Sequence, residues 1–388
     1  MRLRTPGVAV VAAFTLAALY IQPAGALVIP PSFLALSKTS ILNKPGIVLL
    51  DPATSEIIYE SNPDITRAPA SVLKLVSTTS ALKEFGPDKE FRTTIHPTDK
   101  PNKFILMGEG DPWLTTSQLE ATKYKRAFLP NLINKVLATH PHLHSISLQY
   151  KNIYYQDILA IQRYFKGRVK IYPHVISDTS GIAAPLAEIS SPKLSSIIEF
   201  TLLWSDNLLA ARMSLMAAKA QGFPADSSGL QSSFEKLFKE LGVPAPGLVV
   251  KDGAGLSHEN RISARTIAEL LTKIKNEPNL QTIYQGLPLA GVSGTLKNRF
   301  VKDAPTAVGL IKAKTGWINT TVSLAGFISA GDKDYVFTVI ADRLINRESV
   351  RQSARIAIDK MLATIAKPIP GAPPIEPAPE STLPTSNN

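Results

Sequence analysis

Between residues 68 and 85 the sequence predicts one buried helix that begins with a serine and a lysine. Apolar side chains recur at helical spacing at positions 72, 75, 76, 82 and 85, Pro69 and Ala70 lead into the first turn, and Gly86 follows the last. Residues three apart share a helix face, so Ser71 and Lys74 can meet at the N-terminus, where the helix dipole favours an alkoxide over a cation. A serine needs such a partner to become a nucleophile.

The Ser-x-x-Lys pattern alone does not establish a nucleophile. It also occurs at Ser190-x-x-Lys193 and at Ser233-x-x-Lys236. A helix cap with a solvated lysine behind it explains an isolated match equally well. The assignment of Ser71 therefore depends on the other motifs of the chain.

Length and charge limit the architecture and the partners. A chain of 388 residues exceeds the size at which one core stops growing, so we expect one large domain with an insertion, or two domains. The net charge of +11 favours peripheral attraction to an anionic cell envelope, such as acidic wall polymers or lipid head groups. No basic and aromatic motif accompanies this charge, so nucleic acid is not an expected partner.

The first residues indicate export. Arg2 and Arg4 precede an apolar stretch over 8–21, and Ala24-Gly25-Ala26 provides a small-x-small cleavage site, which together predict a signal peptide over 1–26. The apolar stretch is shorter than the roughly 20 residues that span a bilayer. We therefore expect a periplasmic or extracellular protein associated with the envelope. The chain contains no cysteine, so disulfides are excluded.

Periodicity predicts a discontinuous domain with a sheet, a helical part and an insertion. We expect the main domain over 27–100 and 174–366, an inserted domain over 101–173, and a disordered Pro-rich tail over 367–388. Ser205 to Asn207 lies at a break between two apolar helices. The predicted strands are 46–51 and 56–60, joined as a hairpin, and 309–314, 322–329 and 335–341, paired antiparallel; the predicted helices are 194–204, 208–220, 264–274 and 348–365.

Three short motifs follow one another in a fixed order: Ser71-x-x-Lys74, Ser205-Asp206-Asn207 and Lys314-Thr315-Gly316, of which Lys-Thr-Gly occurs once in the chain. This trio is typical of penicillin-binding proteins and class A β-lactamases. Two longer stretches, 252–257 with Asn260-Arg261 and 287–296 with Arg299, as well as 108–112, resemble the class C low-molecular-mass penicillin-binding proteins. These are D-alanyl-D-alanine carboxypeptidases and endopeptidases with an insertion between the first two motifs. The resemblance covers roughly 39–366.

The resemblance implies a role for each motif residue. Ser71 is the expected nucleophile, and Lys74 is the expected base, kept neutral by Lys314 and by the helix N-terminus. Ser205 would relay a proton to the departing D-alanine, while Asn207 would bind the substrate backbone and hold Lys74. The remaining substrate-binding positions are Lys314 and Thr315 for the terminal carboxylate, Gly316, and Trp317, whose N–H would form the oxyanion hole with that of Ser71.

Two features depart from the pattern of that family. Trp317 stands where Thr or Ser usually follows Lys-Thr-Gly, so a backbone donor is kept while a hydroxyl that could hold the substrate carboxylate is lost. The insertion is also much shorter than usual, so residues that contact the side chain of the cross-linking amino acid cannot be carried over.

Other residues have structural as well as functional interpretations. The stretch 252–257 can be a tight glycine loop, a part of the site, or both. Residues 291–296 and Arg299 are expected to be structural. His140, His142 and His144 would face one side of a strand and could then bind zinc, but we expect a surface segment and no metal. Glu277 is expected to end a helix, and His258 has no acidic partner nearby in the sequence.

The expected fold is α+β, like penicillin-binding proteins and serine β-lactamases: an antiparallel sheet flanked by helices, an all-helical subdomain and a small inserted domain. The expected function is hydrolysis of peptidoglycan stem peptides as a D-alanyl-D-alanine carboxypeptidase, with endopeptidase action on cross-links as a second activity. Penicillin and other β-lactams would acylate Ser71, and no cofactor is expected. A serine β-lactamase and a catalytically silent peptidoglycan-binding protein are the alternatives.

Overall fold

The computed structural model describes residues 27–371, 373 and 375. The expected signal peptide and most of the Pro-rich tail lie outside the described residues. Within the described part of the chain, no helix is both long and apolar enough to cross a membrane.

The described residues form helices and strands with the following bounds. The helices are α1 (Pro31–Ser37), α2 (Lys74–Phe85), α3 (Gln118–Tyr124), α4 (Pro130–Thr139), α5 (Tyr155–Tyr164), α6 (Leu194–Trp204), α7 (Asn207–Ala220), α8 (Ser227–Leu241), α9 (Ala264–Asn276), α10 (Gln281–Gln285) and α11 (Glu348–Ala363). The strands are β1 (Gly46–Leu50), β2 (Ile57–Ser61), β3 (Arg92–Pro97), β4 (Lys103–Gly108), β5 (Leu114–Thr115), β6 (Ala127–Phe128), β7 (Ser145–Lys151), β8 (Lys170–Val175), β9 (Ala187–Ser190), β10 (Ile311–Ile318), β11 (Thr321–Ala330) and β12 (Lys333–Ala341).

The main sheet has the order β10-β11-β12-β1-β2, and all of its neighbours pair antiparallel. The predicted hairpin and the three predicted C-terminal strands are thus confirmed. All five residues of β1 are apolar and buried, because the sheet is covered on both faces. Val48 and Leu50 belong to the apolar cluster that includes α9, whereas Ile47 and Leu49 belong to the cluster that includes α11.

Helix α2 lies at the centre of the helical region. Every residue from Lys74 to Leu82 is buried, as the sequence predicts for this helix, and Gly86 ends it with a positive φ of 75°. Helices α6, α7 and α8 pack around it. The predicted break at Ser205-Asp206-Asn207 is confirmed, since α6 ends at Trp204 and α7 begins at Asn207.

A second sheet, of order β8-β7-β4-β3-β9, is inserted between α2 and α6. Its strands β3 and β9 lie outside the expected limits of 101 and 173, so those limits cut through the sheet. The chain enters and leaves this region side by side, because the Ser191 N–H donates to the Phe91 carbonyl and the Ser191 Oγ accepts from the Phe91 N–H, both at 2.9 Å. We therefore propose 91–191 as the inserted unit. Its apolar residues join the same buried cluster as the helical region.

Candidate active site

Ser71 lies in a 3₁₀ turn, Ala70–Leu73, that continues directly into α2. Ala70 has a φ of 51°, a left-handed conformation that strains a residue with a Cβ. The loop at Gly255 packs against this point, since a Cβ at Gly255 would lie 2.0 Å from the Ala70 carbonyl oxygen. Neighbouring backbone thus holds the strained turn in place and leaves Ser71 partly exposed at the start of the helix.

Lys74 lies behind Ser71 and is fully buried. Its Nζ is 2.8 Å from Ser71 Oγ, 2.7 Å from Asn207 Oδ1 and 2.6 Å from the Ala254 carbonyl oxygen. The helix start, the α6–α7 break and the glycine loop therefore meet at one ammonium group. The structure thus brings together the motif residues Ser71, Lys74 and Asn207, although Asn207 is 133 positions from Lys74 in the chain.

Burial lowers the pKa of Lys74 from 10.5 to about 7, against the opposing effect of the Asp252 and Asp206 carboxylates. We expected Lys314 and the helix N-terminus to keep Lys74 neutral, whereas the largest cause is the removal of water from the ammonium group. A lysine with a pKa near 7 can accept a proton from a serine at neutral pH.

A second lysine and a second serine form the other half of the site. Lys314, on β10, is fully buried, and its Nζ lies 2.8 Å from Ser205 Oγ and 2.9 Å from the Thr315 carbonyl oxygen. Ser205 takes a left-handed φ of 59° between the two helices, which turns its hydroxyl toward the strand. Burial, and then the charge of Lys74, lower the pKa of Lys314 well below its usual value.

Strand β10 is the edge strand of the main sheet, and its outer edge is covered only in part. Residues 288–290 run along its first half, where the Ala313 N–H donates to the Pro288 carbonyl at 3.0 Å. Backbone groups alternate in direction along a strand, so the N–H groups of Thr315 and Trp317 point to the same outer edge as that of Ala313. Further along β10, Gly316 lies against the turn that carries Ser71.

Gly316 allows β10 to lie directly against that turn. A Cβ at this position would lie 2.1 Å from Ser323 Oγ, 2.9 Å from the Pro69 carbonyl oxygen and 3.1 Å from the Cβ of Ala70. Ser323 Oγ itself donates to the Pro69 carbonyl at 2.7 Å, which joins β11 to the same turn. Any side chain at position 316 would therefore separate the strand from Ser71.

The Trp317 side chain lies on the opposite face of β10 from Gly316 and is partly buried. It packs against the apolar cluster under α11, and the Arg351 guanidinium lies 5.4 Å from its ring centroid. Arg351 donates to the Asn319 carbonyl at 2.8 Å and to Asn346 Oδ1 at 2.9 Å, so the cation beside the indole is itself held in place.

The glycine loop is organised by one carboxylate. Asp252 accepts hydrogen bonds from the backbone N–H groups of residues 254–257 at 2.6 to 3.1 Å and from Asn260 Nδ2 at 3.0 Å. Burial opposes ionisation, but these donors outweigh it and hold the pKa of the Asp252 carboxyl below its usual value. The loop presents the Ala254 carbonyl to Lys74, so the stretch 252–257 has both of the roles that the sequence leaves open.

Three residues beside the site, Thr295, Asp252 and Arg351, are not among the site residues that the motifs predict. Thr295 Oγ1 accepts a hydrogen bond from Thr315 Oγ1 at 3.0 Å, although we expected residues 291–296 to be only structural. Asp252 holds the backbone of Ala254, whose carbonyl contacts Lys74. Arg351 lies beside the Trp317 ring. Thr295 and Asp252 lie in stretches that the sequence singled out, whereas nothing in the local sequence indicates Arg351.

The other motifs lie apart from this centre. His140 follows the last residue of α4, and residues 141–144 form a connection rather than a strand. No group of three or more His, Cys, Asp or Glu side chains in the described residues is arranged to hold a metal ion. Glu277 follows the end of α9, and Arg299 pairs with buried Asp359 at 2.8 Å, as a structural role requires. His258 Nδ1 lies 3.4 Å from the Thr320 hydroxyl.

Comparisons with known proteins agree on one family and one fold. The model of the D-Ala-D-Ala carboxypeptidase 3 (S13) family matches residues 35–127 and 138–365. Carboxypeptidase DacB of Mycolicibacterium smegmatis is 25% identical over 388 aligned residues, which cover 86% of this chain and 83% of that protein. Penicillin-binding protein 4 of Haemophilus influenzae superposes with a TM-score of 0.69 at 16% identity, over 86% of this chain and 98% of the other. It has also been solved in complex with a β-lactam. A predatory peptidoglycan endopeptidase of Bdellovibrio bacteriovorus superposes with a TM-score of 0.57 at 14% identity, over 87% of this chain and 96% of the other.

Proposed function

This chain belongs to the D-Ala-D-Ala carboxypeptidase 3 (S13) family of serine-type hydrolases, and we propose that it hydrolyses the terminal D-Ala-D-Ala bond of peptidoglycan stem peptides through an acyl-enzyme on Ser71. The observation that carries this proposal is the contact of Ser71 Oγ with the buried Lys74 Nζ at 2.8 Å. The matching contact between Ser205 and Lys314 supplies a second proton path on the other side of the site.

Acylation would begin with proton transfer from the Ser71 hydroxyl to neutral Lys74. Ser71 Oγ attacks the carbonyl carbon of the penultimate D-alanine, and the oxyanion that forms accepts hydrogen bonds from the N–H groups of Ser71 and Trp317. The C–N bond then breaks. The amine of the departing D-alanine takes the proton of the Ser205 hydroxyl. The Lys314 ammonium, which contacts Ser205, then returns a proton to that hydroxyl.

Deacylation would repeat these steps with water as the nucleophile. Water attacks the ester carbon, its proton passes to a neutral lysine, and the Ser71 oxygen leaves and is reprotonated. The product is the stem peptide shortened by one D-alanine. Asn207 would hold Lys74 and bind the substrate backbone, while Lys314 and Thr315 would bind the terminal carboxylate of the substrate.

Peptidoglycan and β-lactams are the expected partners of this site. A β-lactam presents a strained amide to the same nucleophile, so benzylpenicillin should acylate Ser71. Endopeptidase cleavage of cross-links is a second activity, which the similarity to the Bdellovibrio endopeptidase fold favours. The full chain has a net charge of +11, and an exported protein with such an excess of basic residues would be retained at an anionic envelope.

Intact-protein mass spectrometry tests the proposal directly. The chain without residues 1–26 is mixed with benzylpenicillin and followed from minutes to hours, beside Ser71→Ala and the control Ser233→Ala. Ser233 repeats the Ser-x-x-Lys pattern but is buried in α8, 3.2 Å from the hydroxyl of Ser80. We expect one lasting adduct on the wild type and on Ser233→Ala, and none on Ser71→Ala, with D-alanine released from a stem pentapeptide.

Two other outcomes would change the assignment. Rapid loss of the adduct, with penicillin consumed, would identify a serine β-lactamase. No adduct and no release of D-alanine, together with retained binding of peptidoglycan, would identify a catalytically silent binding protein.

A further inference from the structure

A buried cluster of charges joins helix α7 to the inserted unit. Arg212, on α7, is 4% exposed, and its guanidinium donates to Asp157 Oδ1 of α5 at 2.7 Å. It also donates to the carbonyls of Pro112 and Leu114, each at 3.4 Å, and stacks over the Tyr154 ring with its Cζ 4.2 Å from the ring centroid. Every one of these partners belongs to the inserted unit.

The same helix supplies part of the catalytic centre. Asn207 is the first residue of α7, and its Oδ1 accepts from Lys74 Nζ. Arg212 lies five residues further along, about 7.5 Å along the helix axis. A helix of this length moves as a rigid body, so a shift of the Arg212 end displaces Asn207 relative to α2.

We propose that Arg212 is a positioning residue: through its contacts with the inserted unit it sets the position of α7 and thereby holds Asn207 against Lys74. The proposal rests on the proposed function of the site and adds a purpose for the insertion. The unit contributes no residue to the three catalytic motifs, yet it contacts the helix that carries Asn207. Lysine cannot replace arginine here, because a single ammonium cannot reach a carboxylate and two carbonyls as the planar guanidinium does.

The structure provides a matched control within the cluster. Arg126 is 6% exposed and donates to the same two carbonyls, those of Pro112 and Leu114, each at 3.5 Å. Its remaining partners, the Trp113 carbonyl and Glu120, also belong to the inserted unit. Arg126→Lys therefore disturbs the same cluster without releasing α7.

The position of α7 should be visible in the pH dependence of acylation. The charged or titratable groups that affect Lys74 are Asp252, Asp206 and the neighbouring Lys314. The Asp206 carboxylate and the side-chain amide oxygen of Asn207, Oδ1, both favour the charged form of Lys74, and both lie at the start of α7. If this end of the helix moves away, Lys74 loses these two favourable contacts and water gains access to its amino group, so the pKa of Lys74 changes and the acid limb of the acylation profile shifts.

The experiment measures the second-order rate constant of acylation by benzylpenicillin from pH 5 to 9 for the wild type, Arg212→Lys, Asp157→Asn and Arg126→Lys. We expect Arg212→Lys to lose at least tenfold in this rate constant at pH 8 and to show a shifted acid limb. Asp157→Asn should show a smaller change in the same direction. Arg126→Lys should stay within twofold of wild type with an unshifted profile, although its melting temperature falls.

The outcomes separate positioning from general stability and from failure of the site itself. Equal losses in Arg212→Lys and Arg126→Lys, or a lower rate without a shifted profile, would overturn the positioning role and leave the proposed function intact. Wild-type acylation by Arg212→Lys would do the same. A wild-type protein that is not acylated at all would overturn the proposed function and this inference together.

Discussion

If Lys74 is the base, the rate of acylation of Ser71 should follow the fraction of neutral Lys74. Burial brings the pKa of this lysine from 10.5 to about 7, which corresponds to about 5 kcal/mol against the charged form in the folded site. Near pH 5 roughly 1% of Lys74 is neutral, so acylation by benzylpenicillin should be about 100-fold slower than its plateau above pH 8. Stopped-flow mixing followed by mass spectrometry of the adduct measures this rate at each pH.

Two lysine variants make the interpretation of the profile specific. Arginine cannot deprotonate in this range, so Lys74→Arg should lose about 10²- to 10⁴-fold at pH 8 and lose the acid limb. Lys236 repeats the Ser-x-x-Lys spacing but pairs with Glu240 at 2.6 Å on the surface, so Lys236→Arg should match the wild type. A flat wild-type profile between pH 5 and 8 would refute the reasoning. An acid limb that survives in Lys74→Arg would assign the titration to Lys314.

Three further predictions concern other parts of the site and its surroundings. Gly316→Ala should cost about 100-fold in acylation while the protein stays folded, and adding Ser323→Ala should recover part of this loss, because Ser323 Oγ is the nearest obstacle to the new Cβ. Trp317→Thr should lower KM about tenfold for a peptide with a free terminal carboxylate, because the new hydroxyl can donate a hydrogen bond to that group. KM for the same peptide with a terminal amide should stay unchanged, and equal changes for both peptides would contradict the carboxylate role. Burial raises the pKa of Asp111 to about 7, so the folded state binds a proton that the unfolded state releases between about pH 4 and 7, and stability falls as pH rises through that window. In urea unfolding, the free energy of unfolding of Asp111→Asn should rise relative to that of the wild type by up to about 4 kcal/mol between pH 4 and 7. If the two free energies change in parallel with pH, Asp111 does not titrate in this range.

The elements that could be predicted from the sequence are those whose buried face follows from the spacing of apolar residues within one segment. Helices α6 and α7, the break at Ser205 and the strands β10 to β12 all follow from periodicity, and the structure has them within a few residues of the predicted bounds. Lys314 could be assigned because its motif lies within such a strand. The contact between Lys74 and Asn207 follows from the family resemblance rather than from either local pattern.

Non-local pairing could not be predicted in the same way. Strand β9 contains only four residues and joins the second sheet by pairing with β3, about 95 positions earlier in the chain, so neither strand indicates the other. The expected limits of the insertion, 101 and 173, divide this sheet for this reason. Asp157 and Arg212 likewise look like ordinary helix-surface charges in sequence, and only the packing of the inserted unit on α7 shows that both are buried.

Trp317 shows why one departure from a motif can leave one function intact and alter another. The direction of its N–H follows from its place in β10, which the pairing of Ala313 with Pro288 fixes independently of any side chain. A backbone donor to the oxyanion is therefore kept whatever residue stands at 317. The effect of the side chain is separate from that of the backbone. The indole lies on the α11 face beside Arg351 and has no hydroxyl to offer a carboxylate. The substitution should accordingly affect the binding of the leaving group much more than the acylation of Ser71 itself.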